Sequence, residues 1–152
     1  MNPAYKDYET AETFAFADGI KMKVLLSGSE SNGLHEIFED IIEPGVGPPR
    51  HIHQEQDETF IFLEGIFDVE IDGKLQRMKK GDVALIPKGT VHAWKNVGEE
   101  RGRLIYIFTP ALNVEQMFRD LNEAIQSGEI IEKKIADIYK QYPEQQMVGP
   151  PI

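Results

Sequence analysis

Short runs of alternating apolar and polar residues, broken at close intervals by turn residues, fill the chain from residue 12 to about 109. Phe67, Val69 and Ile71 alternate with Asp68 and Glu70, and a period of two places the three apolar side chains on one face of a strand. Asp72-Gly73 separates this run from the next extended one at 75–78, which predicts a two-residue hairpin. Residues 21–26 alternate imperfectly, Glu36–Ile42 is mixed enough to have both faces partly covered, and 59–63 lead to the turn residue Gly65. Val83–Ile86 and 104–108 are short β-branched or aromatic runs of the kind found in covered strands. Many short strands at regular spacing predict an all-β sandwich or barrel.

The pattern changes after Pro110. Val114, Met117, Phe118, Leu121 and Ile125 recur at helical spacing, Asn113 stands where a cap is needed with Gln116 three residues on, and Ser127-Gly128 closes the run. This stripe is expected to pack against the barrel or a second subunit. A second helix is predicted around Ile131, Ile135, Ile138 and Tyr139, while Val148-Gly149-Pro150-Pro151-Ile152 cannot be helical and is expected to lie extended over the barrel or a partner. With no internal repeat or linker, residues 1–152 read as a single domain: a barrel over about 12–109 and a short helical tail over about 113–141.

Composition narrows the function. Hydrophobic residues make up 41% and charged residues 28% of the 152, ordinary values for a globular chain. Sixteen Lys and Arg against 26 Asp and Glu give 16 − 26 = −10, a surface that repels phosphate backbones, so no nucleic-acid partner is expected. The longest apolar runs, about five residues, are far short of a membrane span. There is no cysteine, which removes disulfides, thiolate metal sites and a cysteine nucleophile. The first residues mix both charge signs without an apolar stretch, and a cytoplasmic location is expected.

Four histidines remain as the candidate chemistry: His35, His51, His53 and His92. His51 and His53 are spaced i, i+2, so on a strand both imidazoles project from one face, a natural start for a metal site. Glu58 follows at an odd offset, and the polar residues 54–57 could bend the chain and restore its facing. The chain here reads Gly45, five residues, His51-Ile52-His53, four residues, Glu58, six residues, Gly65. Downstream it reads Gly81, five residues, Pro87-Lys88-Gly89, two residues, His92, three residues, Asn96. His92, Trp94 and Asn96 share parity.

These two strings resemble the two motifs of the cupin superfamily at every fixed position, over residues 45–96 and with a short spacer between them. The resemblance implies a double-stranded β-helix, or jelly-roll, barrel. It also implies one divalent transition metal ion held by His51, His53, Glu58 and His92, with Glu58 serving as ligand or as catalytic base. Three imidazoles and a carboxylate suit iron, manganese, nickel, copper or zinc. Thr109-Pro110, the helix at 114–121 and the Gly149-Pro150-Pro151 ending are similar to the segments after the barrel in bacterial quercetin-2,3-dioxygenase-like cupins, although Ala111-Leu112 stand where those relatives tend to carry glycines. The function this implies is a metal-dependent dioxygenase acting on a small aromatic or enol molecule. Phe60, Phe62 and Trp94 are candidates for its pocket, or else plain barrel core. Two alternatives stay open: a non-redox enzyme of the sugar isomerase or epimerase type, for which Arg50 is the one adjacent basic residue, and a non-catalytic small-molecule-binding cupin. A homodimer is expected. His35 belongs to neither motif and is expected to be a hydrogen-bonded strand residue.

Overall fold

In the computed structural model, which describes residues 3–16, 19–128 and 131–152, the alternating runs form two antiparallel sheets that face each other as a jelly-roll barrel. One sheet contains β1 (Thr13–Phe16), β2 (Ile20–Leu26), β3 (Glu36–Ile42), β5 (Asp57–Glu64), β8 (Val83–Ile86) and β10 (Gly102–Thr109), in the order β1-β2-β3-β10-β5-β8. The other contains β4 (Arg50–His53), β6 (Ile66–Ile71), β7 (Lys74–Lys79), β9 (His92–Asn96) and β11 (Gln145–Gly149), in the order β11-β4-β9-β6-β7. Asp72 and Gly73 have φ of 52° and 75°, the two positive values that a tight β6–β7 hairpin needs.

Alternation sets what faces inward. On β5 it is Glu58, Phe60 and Phe62, and on β10 it is Leu104, Tyr106 and Phe108. The register places Tyr106 between Phe38 on β3 and Phe60 on β5, and the Tyr106 and Phe38 rings stack at 5.2 Å. Full burial of each such phenylalanine is worth roughly 1.5–3 kcal/mol. β8 departs from the expected covered strand. It pairs with β5 at the edge of its sheet, so Val83 and Leu85 point outward and are 58% and 61% exposed.

Two helices follow the barrel, α1 (Val114–Gln126) and α2 (Ile131–Tyr139). Met117, Phe118, Leu121 and Ala124 form the buried stripe of α1, and Phe118 meets Phe38 edge-on at 5.3 Å. The expected cap is not formed. Asn113 is left-handed, with φ 63°, and its side chain caps nothing, while Gln116 donates to Asp120 instead. The acceptor comes from β3: the Glu36 carboxylate takes the N–H groups of Leu112, Val114 and Glu115 at 3.3, 3.1 and 3.1 Å. A buried carboxylate there satisfies the free amides of the first turn and faces the positive end of the helix dipole. Burial pushes the Glu36 carboxyl upward, and the three amides work against that rise.

The ending is also more structured than an overlying extended tail. Residues of β11 pair with β4, Gln145 opposite His53 and Met147 opposite His51, so this segment is an edge strand of the barrel. Arg50 makes a two-pronged contact to Glu70 at 2.7 and 2.8 Å and donates to the carbonyls of Pro150 and Pro151. His35 lies just before β3, exposed, with Nδ1 3.1 Å from the Thr109 hydroxyl. Among the described residues no helix is long and apolar enough to cross a membrane.

Candidate metal centre

β4 is buried at alternate positions, and His51 and His53 are its two inward residues. After His53 the chain leaves that sheet. Gln54 and Glu55 bend, and β5 begins in the facing sheet, so strand parity restarts and the odd offset of Glu58 ceases to matter. His92 opens β9 after the Pro87–Gly89 turn, where Gly89 has φ 77° and donates its N–H to the His53 carbonyl at 2.8 Å. Strand pairing then sets His92 directly opposite His51. The four side chains are buried, and one ligand atom from each lies within 4.8 Å of the others.

The outer ring nitrogens decide what the inner ones offer. Nδ1 of His51 lies 2.8 Å from the Pro49 carbonyl, and Nδ1 of His92 lies 3.0 Å from that of Thr90. A carbonyl only accepts, so both nitrogens donate and each neutral ring keeps its lone pair on Nε2. His53 reaches the same state through a relay of amides. Pro110 O accepts from Gln56 Nε2 at 2.8 Å, Gln56 Oε1 accepts from Gln145 Nε2 at 2.6 Å, and Gln145 Oε1 is left to accept from His53 Nδ1. Nε2 of His53 and of His92 lie 3.1 and 2.8 Å from Glu58 Oε2. Lone pairs aimed at a carboxylate repel it unless a proton or a metal ion stands between them, and three imidazoles with a carboxylate are a donor set that fits a divalent transition metal.

In the bare side chains burial keeps His51 neutral, while Glu58 and His92 favour each other's charge. Burial, then the neighbouring His92 and His53, hold the His51 ring down at about 3. Burial opposes charge on Glu58, yet His53 and His92 together outweigh it and hold the carboxyl below the usual range. For His92 burial again opposes charge, and Glu58 outweighs it and raises the ring.

His51, His53 and Glu58 of the cluster form part of the wall of a cavity of about 380 Å³. Trp94 lines it, joined by Phe108, Phe118 and Tyr139. Phe60 and Phe62 do not; both are fully buried in the barrel core, with the Phe60 ring centroid 6.2 Å from that of His92. The α1 stripe also has a second role, since Met117, Phe118 and Leu121 close one side of the cavity. Motif reading did not identify Gln145, Gln56, Asp40 or Tyr106. Nothing in the polar stretch around Gln145 distinguishes it from a surface loop.

Replacing Gln145 by leucine should therefore loosen the centre without removing a ligand. Metal affinity, measured by competition with a chelator, is expected to fall about 10–100-fold. An unchanged affinity would mean that the relay does not orient His53.

Residues 38–108 match the Cupin_2 family, a cupin domain. The chain is 38% identical over 69 residues to an uncharacterized protein of Aquifex aeolicus (strain VF5), covering 45% of this chain and 56% of that protein. It is 30% identical over 97 residues to quercetin 2,3-dioxygenase of Bacillus subtilis (strain 168), covering 62% of this chain and 28% of the relative. These matches thus span about half or less of the relatives' own lengths. The structure of KdgF from Halomonas sp. superposes with a TM-score of 0.68 at 19% identity, covering 75% of this chain and 99% of that one, a likeness of fold.

Proposed function

This chain belongs to the cupin superfamily, and from that premise we propose that it is a metal-dependent oxygenase acting on a small, largely apolar aromatic or enol molecule. The observation that carries this reading is the lining of the cavity. It opens on His51, His53 and Glu58, its walls are mostly aromatic and aliphatic, and no lysine or arginine is among the described residues that form them. A sugar phosphate or another strong anion would find no basic side chain there to pair with, only the ion itself. Arg50, the basic residue that could have argued for such a substrate, is engaged with Glu70 and the last carbonyls instead. The 30% identity to a quercetin 2,3-dioxygenase points the same way.

A divalent ion held by His51, His53, Glu58 and His92 would supply Lewis acidity and, for a redox-active metal, one-electron chemistry toward dioxygen. The protein's own contribution follows from the geometry. Trp94, Phe108 and Phe118 offer ring faces and edges that hold a planar substrate. The residues of α1 and α2 that close the cavity keep water from the reacting groups. Glu58, whose Oε2 lies between two imidazoles, is placed to take the proton of a substrate hydroxyl.

The test is oxygen uptake by metal-loaded protein across a panel of phenols and enols, beside Glu58→Gln and chelated controls. Uptake that requires both metal and substrate, and that falls at least a hundredfold in Glu58→Gln, is the expected result. Metal-loaded protein that binds members of the panel without consuming oxygen is a binding protein. Turnover of a sugar phosphate instead would make it a Lewis-acid isomerase.

A further inference from the structure

Besides the metal cluster, the same cavity has a second polar pole. Asp40 projects inward from β3, is 5% exposed, and lines the cavity together with Tyr106. The Tyr106 hydroxyl donates to Asp40 Oδ1 at 3.2 Å. Its ring is held by Phe38, stacked at 5.2 Å, and by Phe108, edge-on at 5.6 Å. Among the described residues nothing bonds the second oxygen, Oδ2, and Asp40 is not among the buried groups sealed off without a partner. The free oxygen therefore opens into the cavity.

Strand register gives the spacing of the backbones that carry the two poles. Asp40 lies level with Leu104 on β10 and Phe62 on β5, and Glu58 lies four residues back along β5. Two strand spacings across and four residues along amount to roughly 16 Å between the Cα atoms. The remaining described lining is largely hydrocarbon and aromatic ring, including Ile20, Val46, Trp94 and Leu121.

The geometry points to Asp40, held by Tyr106, as a second substrate anchor that donates a hydrogen bond from Oδ2 to an oxygen at the end of the substrate remote from the metal centre. This deepens the oxygenase reading and rests on it. The substrate class becomes narrower: an elongated, planar molecule with an apolar middle and an oxygen function at each end, the remote one a phenol, ether or carbonyl rather than a carboxylate or phosphate. A neutral acid is what such an anchor needs, and burial keeps the Asp40 carboxyl well above its usual range. The Tyr106 hydrogen bond works against this rise, and Glu58, as long as no ion offsets its charge, and Glu39 add to it. Tyr106 remains a donor, because burial and then Asp40 raise its phenol.

The test is a binding measurement on metal-loaded protein with two probes, a flavonol carrying a hydroxyl on its far ring and the same flavonol without it. Wild-type protein is expected to bind the hydroxylated probe about tenfold more tightly. Asp40→Leu should abolish that preference while still binding the plain probe. Asp40→Asn, whose amide can still donate, should keep most of it, and Tyr106→Phe should reduce it. Equal binding of the two probes by wild-type protein overturns the anchor alone, and needs no variant to fold. A preference that survives intact in Asp40→Leu overturns it too. Failure of wild-type protein to bind either probe would overturn both the anchor and the aromatic reading beneath it.

Discussion

Protein carrying His51→Ala together with His92→Ala is expected to leave purification without a bound transition metal, where wild-type protein retains close to one ion per chain. His51 and His92 face each other across the β4–β9 pair, with ring centroids 4.2 Å apart. Alanine at both positions removes two of the four groups whose ligand atoms lie within 4.8 Å. What remains, His53 and Glu58, is a two-ligand site open to the cavity. Disturbing a hydrogen bond that merely orients a ligand costs about 10–100-fold in affinity, and deletion of two ligands should exceed that by a wide margin. Elemental mass spectrometry of both proteins, purified without added metal, makes the comparison. Wild-type protein that holds no metal, and regains none on soaking, would remove the centre while leaving the fold untouched.

The second large effect concerns a glycine with no ligand role. The segment before β4 crosses β9 at close range: Gly45 N–H donates to the Asn96 carbonyl at 2.8 Å, and Asn96 N–H to that of Val46 at 2.9 Å. Just beyond these bonds lies Gly47, where a Cβ would sit 1.9 Å from the Trp94 carbonyl oxygen and 2.9 Å from Lys95 Cα. These are backbone atoms of the strand that begins with His92, and no side-chain rotation relieves them. Gly47→Ala should destabilise the protein by about 3 kcal/mol or more, a fall in melting temperature of about 10 °C for a chain of this size. Gly45 provides the contrast. A Cβ there meets nothing within 4 Å, and only its φ of 79° resists a side chain, at a cost of about 1–2 kcal/mol. Thermal melts of the two variants separate the cases, and equal melting temperatures would deny the close crossing.

The difference between these glycines shows where sequence reading reached its limit. Gly45, Gly65, Gly81 and Gly89 stand in turn positions that motif spacing marks, and each has a positive φ. Gly47 sits two residues from one of them with no local signal, because another strand's backbone excludes its side chain. The hairpin at Asp72-Gly73, the helix at 114–126 and the period-two face of β6 were legible because each depends on residues close together in the chain. So were the four residues of the candidate centre, through their motif spacing, although strand parity alone left Glu58 unresolved until the chain was seen to change sheets. Glu36 capping α1 and Gln145 supporting His53 link residues 78 and 92 positions apart, and no local pattern records such a partnership. Asp40 was hidden differently. Within the mixed run Glu36–Ile42 it looks like one solvated acid among three; its parity with Phe38 and Ile42 turns it inward, but Ile37 and Ile41 on the other face obscure which side is the core.

The pairing of β11 with β4 also has a consequence for biosynthesis. A ribosome delivers His51, His53, Glu58 and His92 before it delivers Gln145, which lies 145 − 92 = 53 residues beyond the last of them. At about 5–20 residues per second that interval lasts roughly 3–10 s. Throughout it the growing chain holds all four ligand side chains while His53 lacks the acceptor that fixes its tautomer. An ion met in those seconds would meet an unfinished centre, and the orientation of His53 is complete only when the strand that carries Gln145 takes its place beside β4.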